Sequence, residues 1–310
     1  MSLMTEASFH FMRHVAEFNL SYATTAEFEA RQAIFAEKHA IIEEHNANNT
    51  TFLLGHNQFS TWTNAEYQRL LGFRPSGIEP TTVENGMPNA DSVDWVTAGG
   101  VTNVKDQGSC GSCWSFSTTG SMEGAHFAAG NELVSLSEQE IVDCDTSDGN
   151  KGCNGGDMHL AMVWSENNKV TSEADYPYKG SDGTCKESSV TGVVGCTNAI
   201  DIAKNSMSAL MASIETAPTS VAIDANCIAF QVYKSGVFDN SKVMYPCGTD
   251  LDHGVLAVGY GTTSDGIDYY LVKNSWGTTW GEKGYIQVLR NGDGDGTMGI
   301  QMDATRAVTN

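Results

Sequence analysis

Positive charge is scarce in this chain: 17 Lys and Arg stand against 38 Asp and Glu in 310 residues, a formal net charge of −21. Phosphate backbones need clustered cations, so nucleic-acid binding is excluded as a function class. No run of 18 or more apolar residues occurs, which argues against a membrane-spanning helix. Met1–Glu6 lack the charged-then-apolar pattern of a secretory leader, so a targeting segment is expected to have been trimmed away. Proline is limited to six residues, and cysteine is missing from the first 109. All eight cysteines (Cys110, Cys113, Cys144, Cys153, Cys185, Cys196, Cys227 and Cys247) come later. They fit either a disulfide-stapled domain or reduced and metal-binding thiols. The acidity fits a soluble protein of an acidic or extracellular space, and many cytosolic proteins as well. In a secretory setting, Asn19-Leu20-Ser21, Asn48-Asn49-Thr50 and Asn49-Thr50-Thr51 are glycosylation candidates.

Apolar residues at Phe28, Ile34, Phe35, Ile41 and Ile42, with charges opposite, belong to a region from about 5 to 46 that reads as helical. A short apolar segment at Phe52–Leu54 and a helix near Asn64–Leu71 follow. Residues 72–91 hold three of the six prolines together with Gly77 and Gly86, the best linker candidate, and place a boundary near 87. Beyond it, Cys113–Phe127 reads as a helix opened by Gly and Ser, and Ser135–Glu140 as an N-cap leading into a short helix. From about 192 the pattern turns to Gly-bounded strands: Thr219–Ile223, Gly254–Tyr260, Tyr269–Val272 and Gly284–Val288. A helical half followed by an antiparallel half predicts an α+β enzyme with its site between them.

The stretch Gln107-Gly108-Ser109-Cys110-Gly111-Ser112-Cys113-Trp114-Ser115 carries the most chemistry. A thiol at a helix N-terminus sits at the positive end of the helix dipole, which stabilises its thiolate. Taken alone, Cys110-x-x-Cys113 also fits a redox pair or half a zinc site, although no second ligand pair is convincing. His253, in Leu251-Asp252-His253-Gly254-Val255, and Asn274, in Lys273-Asn274-Ser275-Trp276-Gly277, complete a nucleophile, a base and an orienting amide. The loop Asn291–Gly296 hints at calcium but lacks the later bidentate Glu, and reads as a flexible loop.

These segments, with Gly152-Cys153-Asn154-Gly155-Gly156, resemble the signature blocks of the papain family of cysteine proteases, its cathepsin-L-like branch especially, in family order over about 220 residues. The resemblance implies a two-domain fold, a helical left half and an antiparallel β-barrel-like right half, preceded by a helical inhibitory prodomain. The prodomain is expected at 1–87 and the peptidase at 88–310. Cys113 is then the attacking thiolate and His253 its ion-pair partner and proton donor. Asn274 holds the imidazole and Trp276 shields that bond. The Gln107 side chain and the Cys113 N–H form the oxyanion hole. Gly155 and Gly156 would bind substrate backbone. Met158, Ala222, Leu251 and Gly254 would line the pocket for the side chain two residues before the cut, with Asp303 at its base. Apolar side chains are expected there and, through Asp303, also Arg. No metal or organic cofactor is implied. Expected partners are protein and peptide substrates, the chain's own propeptide and cystatin-like inhibitors, acting on a monomer in a lysosome-like vacuole or secreted. A catalytically silent homologue and an acyl-transferring ligase are the competing readings.

The family pattern also implies the disulfides Cys110–Cys153 and Cys144–Cys185. The usual partner of Cys247 is missing, because Thr297-Met298-Gly299-Ile300 has no cysteine, so Cys247 either stays reduced or pairs with Cys196 or Cys227, the last favoured by its closeness in sequence. In the first third, Glu27, Arg31, Ile34, Phe35, Lys38, Ile42 and Asn46 recur at helical spacing. They are similar to the family's ERFNIN propeptide motif, with Lys38 for its first Asn. Gly55–Thr61 resembles the companion GxNxFxD motif, with Thr61 for Asp. That Asp is associated with acid-dependent processing, and Thr61 cannot titrate, so another group must respond or processing depends less on pH. Residues 1–87 hold 10 acidic and 5 basic side chains. Both parts are therefore negative, and specific contacts rather than general attraction must hold the cap.

Overall fold

The computed structural model describes residues 6–48, 51–78, 83–146 and 149–310. Residues 1–5, in the stretch read as lacking a leader pattern, and the glycosylation triplets through Asn49 and Thr50 lie outside them, whereas Asn19 is exposed. The first third forms helices α1 (Glu6–Glu17) and α2 (Thr25–Ala47), strand β1 (Phe52–Leu54), helix α3 (Asn64–Tyr67) and strand β2 (Val83–Glu84). The helical region expected across 5–46 is therefore broken. Asn19 adopts a positive φ of 49°, which its short amide tolerates, and Thr24 caps α2 by accepting the Glu27 N–H.

The spacing along α2 has a physical purpose, since its polar residues hold the chain that returns across it. The Arg31 guanidinium forks onto Glu66 and reaches the Thr61 carbonyl at 2.9 Å. Lys38 Nζ donates to the carbonyls of Phe59 at 2.7 Å and Trp62 at 2.9 Å. Asn46 exchanges two bonds with the Leu54 backbone. Buried backbone carbonyls need such partners, and here three side chains supply them.

The remainder comprises β3 (Val93–Asp94), α4 (Cys113–Ala128), α5 (Glu138–Cys144), α6 (Met158–Ser165), β4 (Cys196–Ile202), α7 (Met207–Thr216), β5 (Thr219–Ile223), α8 (Ile228–Gln231), β6 (Tyr233–Phe238), β7 (His253–Thr262), β8 (Asp268–Lys273), β9 (Tyr285–Leu289) and β10 (Ala304–Thr309). The strands join in the order β1-β6-β9-β8-β7-β5-β10-β4-β2, with β3 on β7. Most pairs are antiparallel, while β6 with β9 and β2 with β4 run parallel. Strands from the first third thus pair at both ends of the sheet, β1 on β6 and β2 on β4. The stretch read as a linker is correspondingly not loose at its start: Phe73 is fully buried and bridges Gly156.

Two cores flank α4. One gathers Trp114, Met122, Ile141, Met158 and Met162 in the helical half, and the other gathers Phe230, Tyr270, Trp276, Trp280 and Val288 against the sheet. Disulfides join Cys110 to Cys153, Cys144 to Cys185 and Cys227 to Cys247, while Cys113 and Cys196 are free.

Candidate active site

The nucleophile candidate opens α4, where Cys110 is tied back to Cys153 and the Gly111 N–H donates to the Cys153 carbonyl. The base candidate and its amide arrive from neighbouring strands. His253 begins β7 and Asn274 follows β8, and the antiparallel register brings both to the same end of these adjacent strands. His253 Nε2 lies 2.8 Å from Asn274 Oδ1, which also accepts the Ser275 N–H. An amide oxygen that accepts twice fixes the imidazole proton on Nε2 and leaves Nδ1 as a lone pair. That Nδ1 is buried without a hydrogen-bond partner. Trp276 stacks on the imidazole with ring centres 4.7 Å apart, and the Gly254 N–H points at Cys113 Sγ at 3.4 Å.

The Gln107 amide is fixed at both ends. Its Oε1 accepts from Ser275 Oγ at 2.7 Å and Trp276 Nε1 at 3.1 Å, so Nε2 is left to donate toward the cleft. There it meets the Leu70 carbonyl at 3.0 Å, and also the Cys110 carbonyl at 2.8 Å. A carbonyl from the first third of the chain therefore takes up a donor suited to an oxyanion.

The chain then crosses the cleft in extended form. Gly156 donates to the Gly72 carbonyl, Arg74 donates to the Gly156 carbonyl and Phe73 donates to the Asp252 carbonyl, each at 2.9 Å. The bridge between Phe73 and Gly156 is parallel. Gly72 passes so close that a Cβ there would lie 1.9 Å from the Gly111 carbonyl oxygen. Phe73 enters the apolar cluster that holds Met158, Ala222 and Leu251. Asp303, with Asp157, His159, Asp201 and Lys204, lines a neighbouring depression under Ser76, Ile78 and Val83. There the Ser76 N–H donates to Asp157 Oδ2 at 2.7 Å, and His159 pairs with Asp201 at 2.9 Å.

Covering the cleft changes the electrostatics. Burial pushes the Cys113 thiol up to about 11, against the pull of the Gly254, Gly72 and Trp114 N–H groups, and burial lowers His253 to about 4 although Asn274 favours its charged form. Between those values Cys113 is a neutral thiol and His253 a neutral imidazole. Burial, followed by the charge of Asp157, raises Asp303 to about 7.

Among the named site residues, Cys113, Gln107, His253, Asn274, Trp276, Gly155, Gly156, Met158, Ala222, Leu251 and Gly254 converge on one cleft, while Asp303 stands beside it. Sequence reasoning missed Gly72, Phe73 and Ser275 as contributors, because no local pattern marks a residue that matters only where two distant segments touch.

A thiol at a helix start, an imidazole oriented by an amide, a fixed side-chain donor and a covering segment together define a thiol hydrolase carrying its own cap. Residues 89–308 match the papain family cysteine protease domain, and residues 11–67 the cathepsin propeptide inhibitor domain (I29). The chain belongs to the papain family of cysteine proteases. It is 46% identical over 291 residues to the probable cysteine protease RD21B of Arabidopsis thaliana, covering 90% of this chain and 61% of that protein. It is 41% identical over 290 residues to cathepsin L of Sarcophaga peregrina, covering 87% of this chain and 84% of that one. The recombinant stem bromelain precursor superposes with a TM-score of 0.88 at 36% identity over 98% of this chain and 99% of that one. Digestive procathepsin L 3 from Tenebrio molitor gives 0.85 at 36% identity over the same shares.

Proposed function

We propose that this chain is a self-inhibited thiol endopeptidase precursor in which Cys113 attacks the scissile carbonyl and His253 first pairs with the thiolate, then protonates the leaving amine. Asn274 orients the imidazole, and Gln107 Nε2 with the Cys113 N–H stabilises the oxyanion. The observation that carries this is the Leu70 carbonyl on Gln107 Nε2, with Gly72 and Phe73 paired along Gly156. The cap occupies the substrate's hydrogen bonds, and its parallel sense supports a chain running opposite to substrate. Uncovering the cleft rehydrates Cys113 and His253, and the loss of the burial that raises one pKa and lowers the other favours the ion pair.

Maturation near residue 87 is supported by Met87, which is 74% exposed. Among the described residues no helix is long and apolar enough to cross a membrane. A lysosome-like vacuole or the extracellular space fits the three disulfides. Protein substrates, cystatin-like inhibitors and action as a monomer belong to the same reading.

The test is an acid-shift time course with and without a thiol-reactive epoxide. Loss of roughly the first 87 residues should accompany epoxide-sensitive dipeptide hydrolysis, and Cys113→Ser should abolish the hydrolysis. Mass loss without activity would favour the silent homologue, and peptide products extended by an added amine would favour the ligase.

Apolar side chains two residues before the cut are supported by Phe73 among Met158, Ala222 and Leu251. Arg is accepted there through Asp303, once the cap has left the adjoining depression. In Asp303→Ala the kcat/KM for an Arg-Arg substrate relative to Phe-Arg is expected to fall about tenfold, the scale of one charge-assisted pair. An unchanged ratio would remove Asp303 from specificity.

A further inference from the structure

The two oxyanion donors proposed above, the Gln107 side chain and the Cys113 N–H, lie at opposite ends of the loop 107–113. One hydroxyl joins those ends. Tyr178 Oη donates to the Gln107 carbonyl at 2.9 Å and lies 2.6 Å from Ser112 Oγ. A carbonyl only accepts, so the single phenolic proton goes to Gln107, and the Ser112 hydroxyl donates to the Tyr178 oxygen. Burial raises the Tyr178 pKa, so that proton is retained.

Ser112 is the N-cap of α4, yet its side chain caps nothing, and its backbone (φ −103°, ψ 14°) is not extended. Thr24, Thr63, Ser137, Asp157 and Ser206, all extended, each accept an N–H of the helix they cap. Drawing Ser112 aside leaves the first N–H groups of α4 unclaimed by a side-chain cap, at the place where the thiol and an oxyanion need them. The phenol ring is held independently of its hydroxyl. It meets Phe116 edge-on at 4.8 Å, and the Tyr178 N–H donates to Glu173 at 2.8 Å.

We propose that Tyr178 is a positioning residue whose hydroxyl clips Gln107 to Ser112 and so sets the spacing of the two oxyanion donors. The clip rests on the thiol-protease reading. Misplacing an oxyanion donor weakens stabilisation of the tetrahedral state while leaving ground-state binding almost intact.

The test uses the full chain after acid activation, with a Phe-Arg dipeptide amide as substrate and a peptide aldehyde as probe. The Cys113 thiol adds to the aldehyde carbonyl, giving a tetrahedral adduct whose oxygen sits in the hole. Tyr178→Phe is expected to lower kcat about tenfold with KM within about twofold, and to raise the aldehyde Ki by the same factor as kcat falls. Gln107→Ala costs about 10²-fold alone, and in that background Tyr178→Phe should cost clearly less than its factor in the wild type, because one of the two donors whose spacing it sets is gone. Ser112→Ala, which opens the clip from the other end, is expected to show the same pattern at about threefold, and it decides the matter if Tyr178→Phe does not fold. Losses that multiply in the double variant, a KM effect with unchanged kcat, or an aldehyde Ki that does not move would overturn the clip. A wild type without Cys113-dependent hydrolysis would instead overturn the reading beneath it.

Discussion

Replacing Gly72 by alanine should unlock the proenzyme without disturbing either folded part. The new Cβ would lie 1.9 Å from the Gly111 carbonyl oxygen and 2.5 Å from its carbon. Both are backbone atoms, and Gly111 is itself pinned by its bond to the Cys153 carbonyl. No rotamer change relieves that contact, so the cap must lift from the cleft at 70–74. Overpacking of this kind costs about 3 kcal/mol or more, which is about 10²-fold in the inhibitory constant of the cap. The chain carrying Gly72→Ala is therefore expected to hydrolyse a dipeptide substrate at neutral pH before any mass is lost, while the wild type stays silent. Ile78→Ala, at a position 55% exposed in the same segment, should keep its latency. A silent Gly72→Ala chain would show that this crossing does not hold the enzyme off.

The second large effect is expected on acidification. Four histidines from α1, α2 and the loop after β1 meet around Phe35. His56 stacks on Phe35 at 3.9 Å, His14 lies 5.1 Å from the same ring, His10 lies 4.8 Å from His39, and His39 Nδ1 is 3.1 Å from His56 Nε2. Lys38 of α2 is the charged group that acts on His14 and His56, and the exposed Glu6 lies 4.0 Å from His10. Burial, followed by Lys38, lowers His14 to about 4. Burial, followed by the neighbouring histidines and Lys38, lowers His56 to about 3.

A histidine held neutral in the folded cap binds its proton only when the cap opens. Its contribution is complete above the unfolded value near 6.5 and is lost as pH falls toward 4 and 3. For His14 the loss by pH 4 is about 3 kcal/mol. The Arg31 partnership holds Glu66 at about 2, so Glu66 acts in the same sense but only below its ordinary 4.5. Asp252 and Asp303, both raised to about 7 by burial, run the other way and favour the capped state in acid. Substituting the histidines isolates their share. In a Cys113→Ser chain, which cannot process itself, the cap's melting temperature should drop between pH 7 and 4.5, and His14→Leu with His56→Leu should remove roughly 5 °C of that drop. In the active chain the same pair should move the processing midpoint down by about half a pH unit or more. An unmoved midpoint would sink the idea. This cluster supplies an acid response beside Thr61, where the family motif has its Asp.

Much of this was legible in the sequence because its signals are local. The helix opening at Cys113 follows from Gly111-Ser112 and the run behind it, and the strands that deliver His253 and Asn274 are Gly-bounded and β-branched. The spacing on α2 announced a face with a purpose, although only the fold shows that Arg31, Lys38 and Asn46 hold the backbone of 54–62. The break at Asn19 was hidden because helical periodicity continues on either side of it.

What the tertiary structure decided are relations between segments far apart in the chain. The Leu70 carbonyl on Gln107, Gly72 against Gly111, and strands β1 and β2 closing opposite ends of the sheet depend on how the prodomain is laid over the enzyme. The four histidines have no common spacing, and their coupling arises only when α1, α2 and the loop after β1 pack together. Asp303 reads as a pocket floor from its place in the chain, and only the packing shows that it shares the adjoining depression with Asp157, Asp201 and Lys204. Sequence determined which groups exist and which short segments present them. Side-chain distance, and with it burial and charge, was set by the packing of segments tens to hundreds of residues apart.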